Sequence, residues 1–257
     1  MIRYNKTRAY TNMIAFIFLL VINGFASYIG INNQTTGEIG ERFPIYFLPA
    51  SYVFNIWILI YVLLFCFTIF QALRSQKKNP FINQVGYWFA LSSILNVAWL
   101  IFWHYEYFVL SFFTMLALLL VLTIIYSNIY HRDSRAYFED KLFVKIPFSI
   151  YLAWICVATI SNLNVTLYTS EWSWLGISLE NWTILMLALG TLLAAIVTLI
   201  FNDIFFSLVF IWAYMGISYR FSTVTLIERT GWIMSGILVF IIIVSLVKKS
   251  RRKSLYY

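Results

Sequence analysis

Tyr151, Trp154, Ala158 and Asn162 stand at offsets 0, +3, +7 and +11 in the run PFSIYLAWICVATISN. On a helix that spacing forms one stripe. Such a stripe of rings and an amide in an otherwise apolar helix needs something to face. These groups can recognise: rings stack on a flat partner while amides hydrogen-bond its edge. The same pairing recurs upstream. Trp57 and Tyr61 are four apart, and Asn96 and Trp99 three apart. Asn23, Asn55, Asn96 and Asn162 all fall within ~12 Å of one boundary when their runs are read as helices rising 1.5 Å per residue. Two readings are open for them. One is a cavity between helices; the other is packing, with Trp and Tyr as interfacial belts and Asn as interhelical glue.

The segments that would position these residues are strongly apolar. The 257-residue chain is 62% hydrophobic and 11% charged, against about 25% charged in soluble domains. Apolar runs fall at roughly 11–29, 50–73, 84–104, 107–130, 143–165, 182–201, 203–219 and 230–247. A bilayer core needs ~20 such residues per helix and admits no open sheet. The expected fold is an all-α polytopic membrane protein of about eight transmembrane helices. The two tight joints, His104–Tyr107 and Asn202–Asp203, are readable as breaks or as kinks. Arg3, Lys6 and Arg8 ahead of the first run imitate a signal peptide, but the run reads as the first span.

Basic residues test the count. With the N-terminus in the cytoplasm, the inside segments hold Arg3, Lys6, Arg8, Arg74, Lys77, Lys78, Arg132, Arg135, Lys141, Lys145, Lys248, Lys249, Arg251, Arg252 and Lys253. Arg42, Arg220 and Arg229 remain outside. This predicts a multi-pass protein of the plasma membrane with both termini cytoplasmic. The net charge of +8 is thus a topology signal, not a nucleic-acid footprint. The tail KKSRRK reads as an anchor or as a site for anionic head groups. No ionisable residue falls well inside any span, which argues against proton-coupled pumping. No nucleophile–base pair, phosphate loop or ligand-spaced cluster is present, so no enzyme activity, no metal and no required cofactor are expected. Cys66 and Cys156 lie in apolar runs and read as small core hydrophobes.

Three stretches resemble the TspO/translocator (tryptophan-rich sensory protein) family. They are Tyr151-Leu-Ala-Trp154 with Ala158-Thr159 and Asn162; Leu95-Asn96-Val97-Ala98-Trp99 followed by Phe102 and Trp103; and Pro49, Trp57 and Tyr61. The segment TTGEIGERFPIYFLPASYVFNIW looks like longer bacterial members with extra C-terminal spans. The family's double proline before helix two is here Leu48-Pro49, and Pro147 stands four residues before Tyr151. The resemblance covers about 11–165. It implies a five-helix bundle over residues 1–165, with three further helices and a basic tail over 166–257. It implies a membrane-embedded sensor or carrier for tetrapyrroles such as protoporphyrin or haem, or related apolar rings. By analogy, Pro49, Trp57, Tyr61, Asn96, Trp99, Tyr151, Trp154 and Asn162 would line the site, and Pro147 would start or kink helix five. The alternatives are a facilitative transporter of another small solute, or a regulatory or assembly protein without a ligand. The partners expected are the bilayer, a hydrophobic small molecule and, as an open alternative, a second copy of the chain. Gly190 with Ala194-Ala195, and more weakly Gly231 with Gly236, are expected at close helix contacts. Trp172, Trp174 and Trp182 are expected as interface anchors.

Overall fold

The computed structural model describes residues 6–130, 136–172 and 174–254, with side chains for all of these except Tyr28 and 251–254. Among the basic residues above, Arg3, Arg132 and Arg135, and the side chains of Arg251, Arg252 and Lys253, lie outside the described set.

Eight long helices follow the apolar runs: α1 Lys6–Tyr28, α2 Ile56–Ala72, α3 Trp88–His104, α4 Phe108–Tyr130, α5 Ile146–Thr169, α6 Leu179–Phe201, α7 Ile204–Arg220 and α8 Thr225–Ser254. The described residues form no strand beyond an isolated bridge between Ile31 and Gln34. Six of the helical segments are long and apolar enough to cross a membrane; α3 and α7 are shorter apolar helices of 17 residues. Seventeen residues span about 25 Å, the lower end of what a bilayer core requires. The chain is an all-α polytopic membrane protein.

Local chemistry sets the joints. The two tight joints are breaks, because each contains a residue in the left-handed region: Glu106 at φ 61° and Asn202 at φ 53°. Asn tolerates that conformation and commonly ends helices. Asp203 then starts α7, its carboxylate accepting from the Phe205 N–H at 3.2 Å. Asn79 starts the short helix Pro80–Val85 by accepting from the N–H groups of Phe81 and Ile82, and proline at the first helical position gives up a donor that had no partner there. Gly86, at φ 57°, ends that turn ahead of α3. Pro147 does not start helix five. The chain is already helical from Phe138, passes through a π-helical turn at Lys141–Lys145, and reaches Pro147 as the second residue of α5. A π turn rearranges the hydrogen-bond ladder locally, and it falls just before the residue that cannot donate to it.

The chain packs as two compact units. The first comprises Met1–Arg42 and Ile56–Ile155. In it α3 packs along α4, and α1 along both α3 and α2. Phe16, Phe67, Phe89 and Phe148 from α1, α2, α3 and α5 form its aromatic core, with Phe67 edge-on to Phe148 at 5.0 Å and to Phe89 at 5.1 Å. The segment after α1 seats on the end of α3: the Trp103 indole donates to the Thr36 carbonyl at 3.1 Å, and Asn32 donates to that of His104 at 3.3 Å. Thr35 caps the helix Thr36–Glu41 in a reciprocal capping box with Glu38. The Thr35 backbone and hydroxyl bonds hold the Glu38 carboxyl below its ordinary range. Replacing Thr35 by alanine is expected to cost about 1 kcal/mol. Faster amide exchange confined to residues 36–41 would show it.

The second unit comprises Phe43–Asn55 and Cys156–Tyr257. Here α6, α7 and α8 pack on one another. Gly190 lies against the Tyr214 hydroxyl and Phe210, and Gly231 against the Ser218 hydroxyl, whereas Gly236 faces open space. Close approach is therefore real at Gly190 and Gly231, and Gly236 takes no part in it. Trp182 corrects the expectation of an interface belt. It is buried and donates to the Asn164 amide oxygen at 2.9 Å, while Trp172 stays exposed.

Helix α5 differs from the other spans in burial. Every residue from Pro147 to Val157 is buried. A helix buried all round has no single solvent or lipid face, so Tyr151 and Trp154 are not an isolated polar stripe on an otherwise lipid-facing helix. Cys156 is among these buried residues and Cys66 is half-buried; both are free thiols.

Candidate functional site

Trp57, one residue into α2, is the hub of an aromatic cluster within the first unit. It stacks on Tyr61 at 5.4 Å and 20°, lies tilted against Trp99 at 6.2 Å, and meets Tyr151 and Trp154 edge-on, each at 6.1 Å. Trp99 continues the stack to Trp103 at 6.3 Å and 27°. Edge-on and offset contacts at these separations contribute about 0.5–1.5 kcal/mol each beyond their buried area. Trp99, Tyr151 and Trp154 are buried; Trp57 and Tyr61 are half-buried.

A chain of hydrogen bonds backs the rings. The Tyr61 hydroxyl donates to the Asn23 amide oxygen at 2.7 Å. Asn23 Nδ2 donates to Asn96 Oδ1 at 3.0 Å and to the Leu19 carbonyl at 3.0 Å. Asn96 Nδ2 donates to the Tyr151 hydroxyl at 3.3 Å. One line of polar groups thus joins α2, α1, α3 and α5 in an apolar interior, where its members hold the rings in fixed orientation. The Trp99 indole nitrogen is buried and has no partner among the described residues.

Six of the residues singled out in the sequence lie in this cluster: Trp57, Tyr61, Asn96, Trp99, Tyr151 and Trp154. Pro49 and Asn162 belong to the second unit. Pro49 packs there beside Gly216, and its carbonyl accepts from Arg220 at 3.5 Å. Asn162 is buried in the part of α5 beyond Ile155. Asn55 is exposed, at the end of the helical turn Ser51–Asn55. Asn23 is the member that the motifs did not name. Its position in the same third of its span as Asn96 was the available signal. No group of three or more metal-ligating side chains occurs among the described residues.

The TSPO-like protein family model matches residues 9–244. The chain belongs to the TSPO-like family. The match runs well beyond residue 165 and into α8. Comparison with curated proteins and with solved structures finds no match. Membership of the TSPO-like family carries, in broad terms, a membrane-embedded ligand-binding or sensor role, and the family is generally non-enzymatic.

Proposed function

We propose that this chain is a membrane-embedded sensor or carrier for a flat, apolar ring ligand with polar edges, the tetrapyrroles such as protoporphyrin and haem being the ligand class. The observation that carries this reading is the Trp57 cluster with its unpartnered Trp99 N–H. The amide–phenol chain uses its own donors and acceptors internally, so it serves as a rigid backing. The rings supply stacking area, and the Trp99 N–H supplies one directional contact to a ligand's polar edge. Preorganisation of this kind lowers the ordering cost of binding. Half-burial of Trp57 and Tyr61 leaves ring surface for a ligand to reach.

The test is tryptophan-fluorescence quenching by protoporphyrin IX on the full chain in nanodiscs. Saturable quenching by the native chain is expected, lost in the Asn96→Ala/Trp154→Ala double variant. Trp99→Phe keeps a ring and removes the N–H. It is expected to weaken binding about fivefold, in line with about 1 kcal/mol for one hydrogen bond, with the melting temperature unchanged. Linear quenching, identical in all three proteins, would mean partition into lipid and would turn the search to solute flux. We place the protein in the plasma membrane with both termini cytoplasmic, on the distribution of Lys and Arg; labelling of single cysteines introduced at Lys6 and at Arg42 from either side checks this.

A further inference from the structure

The far end of the first unit holds a pocket of about 410 Å³. It lies at Phe70, thirteen residues along α2 from Trp57, hence about 20 Å from the aromatic cluster along the helix. Phe70, Phe81 and Tyr137 supply aromatic walls, and Asp140, Lys78 and Glu139 supply charge.

Asp140 is the unusual member. Its side chain is 4% exposed. One carboxylate oxygen accepts from Asn79 Nδ2 at 2.6 Å and the other from the Tyr137 N–H at 3.0 Å. Asn79 is itself fixed, since its oxygen takes the Phe81 and Ile82 N–H groups and its nitrogen also gives to Gln76. Both partners of the carboxylate are neutral. A buried carboxylate held only by neutral donors is costly to desolvate, and a cation beside it offsets that cost. Each oxygen retains a lone pair for such a cation, and the exposed Tyr137 ring offers it a face, while the Phe81 ring already holds the Lys145 ammonium at 5.3 Å. At the mouth, exposed Lys78 and Glu139 bring opposite charges to one rim without pairing with each other. This is the complement of a zwitterion, with an ammonium directed to Asp140 and a phosphate to Lys78.

The surface beside the mouth indicates the source. Phe65 and Ile69, four residues apart on α2, form an exposed apolar stripe that exposed Leu73, in extended backbone just past the helix, continues. It ends two residues before Ser75, which lines the pocket. Acyl chains can lie along that stripe while the head group enters. We infer that this pocket binds the phosphoethanolamine head group of an ethanolamine phospholipid from the leaflet at this end of the bundle. The inference does not rest on the tetrapyrrole reading, and either can fail alone.

The test is native mass spectrometry of the full chain, released from nanodiscs containing equal amounts of ethanolamine, choline and glycerol phospholipids. The native chain is expected to retain the ethanolamine lipid at least fivefold over the choline lipid. Asp140→Asn is expected to abolish that preference. Because Asp140 also accepts the Tyr137 N–H, the exposed double variant Lys78→Ala/Glu139→Gln gives a second measure with the fold intact, and is expected to reduce the preference at least threefold. Equal retention of the three lipids by the native chain, or an unchanged preference in the double variant, overturns the assignment. Soluble O-phosphoethanolamine is the other arm. If it raises the melting temperature of lipid-free protein as much as the lipid does, the site takes a free solute and the lipid assignment fails.

Discussion

Trp57→Ala is expected to weaken protoporphyrin IX binding by at least tenfold in nanodiscs, the largest effect of any single change in the site. Trp57 is the ring that meets Tyr61, Trp99, Tyr151 and Trp154 together, so removing it takes away the stacking surface and the contact that aligns the others. A tenfold loss corresponds to about 1.4 kcal/mol, within the range of a single aromatic contact. The hydrogen-bond chain from Tyr61 to Tyr151 does not pass through Trp57, so the bundle retains its polar frame. Binding should therefore fall much further than the melting temperature. Because one emitting ring is lost, affinity is best read from porphyrin emission. Full affinity in Trp57→Ala would mean that the ligand sits elsewhere and that the cluster serves only as packing.

Gly216→Ala is expected to be the most destabilising small change in the second unit. A methyl group there would run into Val53 Cγ2 and lie 3.3 Å from Pro49 Cβ. The neighbours on that side are not a free side-chain tip. The Gly216 carbonyl accepts the Ala50 N–H at 3.2 Å, and the Trp212 indole N–H donates to the Val53 carbonyl at 3.0 Å. Overpacking of this kind costs about 1–3 kcal/mol. Gly236→Ala is the control: nothing lies within 4 Å of its added methyl group, so it should be neutral or gain about 0.5–1 kcal/mol of helix preference. A drop of several degrees in melting temperature for Gly216→Ala, with none for Gly236→Ala, is the expected pattern. Equal melting of the two variants would show that residues 49–53 do not press on Gly216.

Much of the architecture was legible in the sequence because lipid imposes one dominant rule, and long apolar runs satisfy it. Even the tight joints could be located, since Glu106 and Asn202 interrupt their runs with residues poorly suited to a bilayer core. The helix-two and helix-three motifs led to the aromatic cluster because Trp57 and Tyr61, or Asn96 and Trp99, share a helix face by spacing alone. Three things were not legible. The all-round burial of α5 between Pro147 and Val157 depends on what surrounds it, which no pattern within the run encodes. Trp182 resembles an interface anchor until Asn164 is found in front of its N–H. For Asn23 only its depth beside Asn96 was legible; its partners lie 38 and 73 positions away, a pairing no local pattern encodes.

The docking of residues 43–55 also has a consequence in time. The Val53 carbonyl waits for an indole 159 positions later, and the Pro49 carbonyl for a guanidinium 171 positions later. At a synthesis rate of about 5–20 residues per second, the ribosome needs roughly 10–30 s to supply those partners. For most of that interval α2 has already been made while the segment leading into it has no final seat. Membrane assembly of this protein therefore cannot be strictly sequential: an early stretch of chain must stay uncommitted until nearly the last span emerges.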